Sequence, residues 1–593
     1  MKRMCSPMKQ TGKSGRQSHS FLQGAVILTA GVLAVKLMGA VFKIPLNWVI
    51  GEDGMGYFTT AYSFYSPIYS LATAGFPIAI SRLVSMNCVQ KRYRDVRQIH
   101  RVSVPIFLLT GTLGLLVMLL GSGWYVRAMG NENALPCMLA LAPAILFSCL
   151  SAIYRGYYEG LRNMAPTAIS EILEALFRLA LGLAASFRVM QMGMEEYTRL
   201  GSVFGTEAAS KAEAQALVLL WAAAGAIAGV TVGSIASFLF LLLRHKIRGD
   251  GITQTEYRHS PPPRKALATA RLLLKTAAPI GLGAIAVNIA GLVDTTFLQA
   301  GIREALLQDA SRLLRMYEGM IPAYNLENPQ TIPNFLFGCY ANAHTLFMLI
   351  PAVTQAFGVS ALPNVTAAWT GGSRKKLQTS IESVIRMTAL FGFPAGIGMA
   401  VLSQPIVRLL FGSRAAAPII AGVLPVMAAG AVFASMSTPL QSMLQAVGRV
   451  DIPVKLLGVG LLLKAGLNYW LTALPEWNIM GAAVGTLACY VFIMVGALIS
   501  LCRVTGIRPR FWAVLGKPLV SAGVCCVSAF CAHGFLRQVF DREALALPLA
   551  VLVGVCFYVC CLFLMDVMTR EEICQLPGGQ KIIKLLEKRD GIE

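Results

Sequence analysis

The chain has 593 residues, 56% of them hydrophobic and 13% charged, with a net charge of +22 and a mean hydropathy of +0.63. That composition excludes an ordinary soluble domain and indicates an integral membrane protein. The basic surplus is what the positive-inside rule gives a polytopic chain, so no nucleic-acid partner is expected.

Residues 1–20 form a basic tail that leads into an apolar run from Phe21. The start resembles a signal peptide, but no small-residue cleavage site follows and the run is long enough to span, so it reads as the first transmembrane helix. Runs of about 20 apolar residues recur near 21–44, 58–82, 102–124, 135–155, 166–187, 214–243, 276–300, 334–362, 387–403, 417–446, 453–473, 479–502, 513–534 and 546–566. The expected fold class is an all-α integral membrane protein with about fourteen transmembrane helices.

The tails and the connections after spans 2, 4, 6, 8, 10 and 12 hold 36 Lys and Arg, and the other connections hold 11. That bias puts both termini in the cytoplasm. Four further basic residues, Lys36, Lys43, Arg178 and Lys464, fall within spans, as do the acidic Glu174 and Asp294. They need an explanation, because a lysine at the centre of a spanning helix costs roughly 2.5–3.5 kcal/mol.

In chain order, VLAVKLMGAVFKIPL at 32–46 carries Lys36 and Lys43 seven residues apart. The helical period sets them within about 20° on one face and about 10 Å apart along the axis. Lys36 is deep in the span, whereas Lys43 is near enough to the outer boundary to snorkel. Tyr62, Tyr65 and Tyr69 form a stripe on span 2, whose hydroxyls either meet a polar ligand or pack. Gly75 and Pro77 predict a bend there, as Pro351 and Pro363 do in span 8. In span 5, Glu174 and Arg178 are four apart and can pair along one face or border a hydrated cavity. Span 7 carries Asp294, and span 11 sets Lys464 and Asn468 on one face. An ion pair between Asp294 and Lys464, with Thr486 of span 12 as neighbour, is expected. The outer segment 301–332 has an amphipathic first half and reads as a short surface helix, and the tail QKIIKLLEKRD reads as a membrane-surface anchor.

Chemistry-bearing motifs are sparse. The fourteen cysteines, some adjacent as in Cys525-Cys526 and Cys560-Cys561, show no metal-ligand spacing, so neither metal nor cofactor is expected. TGKS at 11–14 fails as a phosphate loop, since Pro7 stands where a glycine is required. A membrane glycosyltransferase would ordinarily show paired carboxylates at a membrane edge, and GEDG at 51–54 reads instead as a turn. An enzyme is therefore not expected.

A weak repeat aligns 124–148 with 405–429 and 157–178 with 443–464, setting Arg127 opposite Arg408, Arg162 opposite Arg449 and Pro166 opposite Pro453. Arg178 lies 12 residues past its proline and Lys464 lies 11 past its own. Six intervening spans make the copies parallel. The expected organisation is a cytoplasmic tail (1–20), an N-terminal six-helix lobe (21–247), a cytoplasmic linker (248–275), a C-terminal six-helix lobe (276–503), two further helices (513–567) and a cytoplasmic tail (568–593), with a central cleft between the lobes.

The segments FLQGAVILTAGVLAVKLMGAVFKIPLNWVIGEDGMGYFTTAYSFYSPIYSLATAGFPIAISRLV and YRGYYEGLRNMAPTAISEILEALFRLALG, with KAGLN in span 11, resemble the stage V sporulation protein B branch of the multidrug/oligosaccharidyl-lipid/polysaccharide exporter superfamily, whose relatives include lipid II flippases. The resemblance implies two lobes forming a V in a bacterial cytoplasmic membrane, opening alternately to either side. It implies an undecaprenyl-pyrophosphate-linked saccharide as substrate, either lipid II or a polysaccharide repeat unit, with membrane lipids and cell-wall synthesis proteins as partners. Lys36 and Lys43 would then engage pyrophosphate and the tyrosines a sugar headgroup, with Glu174, Arg178 and His344 as further cleft candidates. Lipid II flippases typically bear two arginines where this first helix has lysines, and further arginines in helices 2 and 8. Here SPIYSLATAG at 66–75 is uncharged, and His344 is the titratable group of span 8. Some relatives are thought to bind sodium between helices 7, 11 and 12, where Lys464 would supply a permanent cation instead. A drug antiporter of the same superfamily is the alternative, but it would be expected to use buried carboxylates rather than a doubly cationic first helix.

Overall fold

The structure is a computed structural model that describes residues 21–565 and 567, except 74, 413 and 541. The expected C-terminal surface anchor lies outside the described residues, as does the side chain of Lys36. With no water in a bilayer core to satisfy backbone groups, long apolar runs close their hydrogen bonds internally, and the chain is accordingly helical. All fourteen expected stretches are helical over nearly all their length. Among the described residues, eleven helical segments are long and apolar enough to cross a membrane.

The first two spans share α1 (Phe21–Thr73), bent at Gly51, whose φ of 62° is a conformation that favours glycine. Span 2 continues in α2 (Gly75–Val89). Next come α3 (Tyr93–Met129), α4 (Leu135–Gly160) and α5 (Ala165–Leu200). At 1.5 Å per residue α5 is about 54 Å long, well beyond the expected end of its span at 187, and a small antiparallel hairpin, β1 (Ser202–Val203) with β2 (Thr206–Glu207), caps the overhang. α6 (Lys211–Arg248) returns, and α7 (Gln254–Arg258) sits in the linker with a capping box between Thr253 and Glu256.

α8 (Ala266–Met316) carries span 7 beyond its expected end. The first residues of 301–332 continue that helix as far as Gln308, and past a non-helical Asp309, whose carboxylate accepts from the Arg312 amide at 3.0 Å, a short second helix runs to Met316. The remaining helices are α9 (Ala323–Glu327), α10 (Ile332–Thr370), α11 (Arg374–Val401), α12 (Ser403–Phe411), α13 (Ala417–Ala446), α14 (Asp451–Thr472), α15 (Asn478–Thr505), α16 (Lys517–Val539) and α17 (Glu543–Leu564). α10 is helical through both Pro351 and Pro363.

One apolar core draws its buried residues from Phe42 to Ala277, a second from Leu298 to Ala483 and a third from Ala361 to Val514. α1 to α6 thus pack as one bundle and α10 to α15 as another, with α8 in contact with both. α16 and α17 pack on each other, α16 packs on α11, and Tyr558 of α17 donates to the carbonyl of Leu390 in α11 at 2.7 Å.

Candidate functional site

The hydrogen bonds between the two bundles cluster at the end that carries connections 51–54, 130–134 and 473–477, and most are made by uncharged amides. Asn131 Nδ2 donates to Gln299 Oε1 at 3.0 Å and to Asn334 Oδ1 at 2.9 Å. Asn342 donates to Asn47 Oδ1 at 2.9 Å, and Gln299 to Thr60 at 2.9 Å. Asn334 also reaches the carbonyl of Asp53, at 3.0 Å, while Arg414 binds the carbonyls of Asn47 and Trp48 at 2.9 and 2.7 Å. α10 approaches the turn of α1 so closely that a Cβ on Gly338 would overlap the carbonyl oxygen of Glu52. None of these groups stood out in the sequence, since a single uncharged amide in an apolar run carries no charge signal.

In the N-terminal bundle, α1 contributes Lys43 and the tyrosine ladder. The rings of Tyr62 and Tyr65 meet edge-on at 5.9 Å, and those of Tyr65 and Tyr69 stack at 5.3 Å. Tyr65 is buried, whereas Tyr62 and Tyr69 remain partly accessible. The Arg178 guanidinium of α5 neighbours both the Tyr62 hydroxyl and the Lys43 ammonium. Among the described residues neither Lys43 nor Arg178 has a carboxylate within ion-pair distance.

Glu174 does not pair with Arg178, as their spacing allowed, but with Arg155 of α4 at 2.8 Å. Arg155 also donates to Ser170 at 3.0 Å and Ser237 at 2.9 Å, and lies 3.9 Å from Glu171. Sequence reasoning missed Arg155 because it ends span 4 and was absorbed into the cytoplasmic charge count. Its position in YRGYYEG, less than two turns before the helix ends, was the available signal.

In the C-terminal bundle, Lys464 Nζ donates to Asp294 Oδ2 at 2.7 Å, and Asn468 Nδ2 to Asp294 Oδ1 at 2.9 Å. The Lys464 and Asp294 side chains are only 5% and 8% exposed, so this is a buried, mutually neutralised pair. Thr486 reaches it indirectly: its hydroxyl lies 3.1 Å from that of Tyr340, which neighbours the pair. His344 stacks between Tyr340 and Phe347, at 6.1 and 5.3 Å, with Lys464 and Lys43 as its charged neighbours. A sodium ion would need the Asp294 carboxylate, which already carries a tethered ammonium, so these residues do not fit one. Among the described residues no His, Cys, Asp and Glu cluster could hold a metal.

The family model for polysaccharide biosynthesis proteins matches residues 21–366 of the chain. The chain belongs to that family. A second model, MatE, matches residues 338–470.

Stage V sporulation protein B of Bacillus subtilis is 23% identical to this chain, over 95% of this chain and 99% of that protein. Lipid II flippase MurJ of the same organism is 23% identical, covering 81% of this chain and 83% of its own. Among solved structures, the inward closed conformation of lipid II flippase MurJ superposes with a TM-score of 0.59 at 13% identity, over 93% of this chain and 99% of that one. An inward-facing multidrug resistance MATE family transporter of the MOP superfamily gives 0.57 at 16% identity, over 82% and 99%. The family member thus shares the all-helical fold of these two structures and is a multi-pass membrane protein.

Proposed function

We propose that this protein is a flippase that carries an undecaprenyl-pyrophosphate-linked saccharide of the lipid II type across the cytoplasmic membrane by alternating access, with both termini in the cytoplasm. The observation that carries this reading is the pair of cations without a carboxylate partner, Lys43 and Arg178, beside the Tyr62 hydroxyl. A pyrophosphate cannot cross hydrocarbon bare, and fixed cations in a hydrated cleft are what its passage needs. Tyr62 and Tyr69 supply hydroxyls to a sugar, and Lys36 stands two turns before Lys43 on α1. A carrier of cationic drugs would need the opposite polarity. The likeness to lipid II flippase MurJ and stage V sporulation protein B supports the class. With the basic connections in the cytoplasm, the amide seam lies outside, which supports a cleft closed to the exterior.

A polysaccharide repeat unit is the second reading. It is favoured by the uncharged run at 66–75 and by His344 in span 8, where lipid II flippases carry arginine. The two are separated by complementing cells depleted of lipid II flippases. Growth on the wild type, lost in Lys36→Ala at equal membrane levels, supports lipid II; no growth on folded wild type favours the repeat unit.

Lys464 takes the part of the coupling cation, so transport does not require sodium. Stimulation by sodium that vanishes in Asp294→Asn would overturn this.

A further inference from the structure

We propose that an anionic glycerophospholipid binds in the groove between α3 and the start of α8, with its headgroup on Arg94, Arg97 and Arg101 and an acyl chain along the apolar wall below them. The inference does not depend on what the cleft carries.

A cavity of about 590 Å³ lies here, far from the cleft cations. Its lining is divided by chemistry. The guanidinium-bearing residues Arg94, Arg97 and Arg101 occupy one end, and Pro105, Ile106 and Leu267 line the other. On α3 the positions 94, 97, 101 and 105 recur at helical spacing, so a single face passes from cationic to apolar within about three turns. The apolar face continues outward: Leu109 is 72% exposed and Leu267 is 75% exposed, surface that lipid would cover. A headgroup and its chain need this order, charge at the membrane boundary and hydrocarbon below it.

The charge at the wall is not cancelled. Arg97 pairs with Asp250 at 2.8 Å. Arg94 donates to the carbonyls of Tyr257 and Arg258, both at 3.2 Å, contacts that leave its charge intact. Arg101 is exposed and has no carboxylate within ion-pair distance among the described residues. Arg94 and Arg97 are held over the Tyr257 ring at 5.6 and 4.8 Å, which fixes the planes of their forks. A second cavity, of about 220 Å³, shares Arg97 and Arg101 and is bordered by His100, whose buried Nε2 has no hydrogen-bond partner among the described residues. A headgroup hydroxyl would satisfy that nitrogen. Three arginines against one carboxylate select a phosphodiester with no positive charge of its own, and a choline headgroup would bring its ammonium against the guanidinium groups.

The occupant would also secure the linker. Gln98 donates to the carbonyl of Arg264 at 2.6 Å, and the Arg264 amide donates to Asp95 at 2.8 Å, so the chain joining the bundles is already fastened along α3. A lipid seated beside these bonds adds a contact to both α3 and α8.

The test is native mass spectrometry of the full-length protein extracted from vesicles of equal phosphatidylglycerol and phosphatidylcholine. One phosphatidylglycerol should be retained in preference, and Arg101→Gln should reduce its retention about tenfold, the weight of one charge-assisted contact. Arg101 is exposed, so the variant should unfold at the wild-type temperature. Ala270→Trp fills the apolar half and leaves every charge in place, and it should also lose the lipid. Undiminished retention in both variants overturns the proposal. So does displacement of the lipid by inorganic phosphate alone, or equal retention of the two lipids. Preferential retention of undecaprenyl pyrophosphate would overturn it in favour of a cargo site.

Discussion

The two bundles each carry a basic residue at a similar depth of their fifth helix, but they use it differently. Lys464 is sealed against Asp294 at 2.7 Å with both side chains nearly inaccessible, whereas Arg178 borders Lys43 and a tyrosine hydroxyl with no carboxylate in reach among the described residues. A buried charge with a matched counter-ion is held by the fold, and removing one member strands the other. A cation that keeps company with another cation is destabilised until an anion arrives, which is what a binding site for an anion requires. On the function proposed above, the first position is a latch and the second a seat for an anion.

This contrast can be broken in order of effect. Asp294→Ala leaves Lys464 buried and unpaired and should cost about 3–5 kcal/mol of stability, read by denaturant unfolding in detergent. Replacing both partners together, as Asp294→Leu with Lys464→Met, should recover most of that loss. An Asp294→Ala protein as stable as wild type would mean the pair is not a latch. Arg178→Ala should change stability by about 0.5 kcal/mol at most, while transport falls about ten- to hundredfold, the weight of a charge-assisted contact of about 1.5–3 kcal/mol. A large loss of stability instead would make Arg178 structural and erase the distinction. Glu174→Gln weakens a largely buried pair, but the amide still accepts and Arg155 keeps Ser170 and Ser237, so the cost should be about 1 kcal/mol.

The smallest effect lies outside the membrane, at Asp250. Burial pushes its carboxyl up, but hydrogen bonds from Arg97 and the Ile252 amide, together with the Arg97 charge, outweigh that and hold it below the usual carboxylate range. A folded pKa below the unfolded one gives stability that is fully present above about pH 4 and is lost as the pH falls through the folded value. Asp250→Asn should therefore flatten the acid side of the stability curve by about 1 kcal/mol at most.

The helical stretches were legible because apolar runs of spanning length have few other uses in a chain of this composition. The meeting of Asp294 with Lys464 and Asn468 could be anticipated from depth and four-residue spacing, since a buried lysine must find an anion. Arg155 was not legible, because at the edge of a span a cation satisfies the positive-inside bias and a buried ion pair equally well. That α8 runs past the end of span 7 could have been read, since no glycine or proline stands between Gly301 and Gly319; its interruption at Asp309, whose carboxylate caps the next turn through the Arg312 amide, could not be read from glycine and proline alone. The amide seam could not be read, because Asn47, Asn131, Gln299 and Asn334 come from distant parts of the chain and their partnership exists only after folding.

That seam has a kinetic consequence. Amide pairs attract only at contact, and water replaces either partner at little net cost. That end is therefore held mainly by short-range bonds that ionic strength hardly screens, with Arg414 and Glu52, 3.9 Å apart, as the opposed charges across it. Opening separates few opposite charges, and reclosing needs no ion to be recaptured. In the alternating access proposed above, such a clasp can be undone and remade once per cycle while the open and closed forms stay close in free energy.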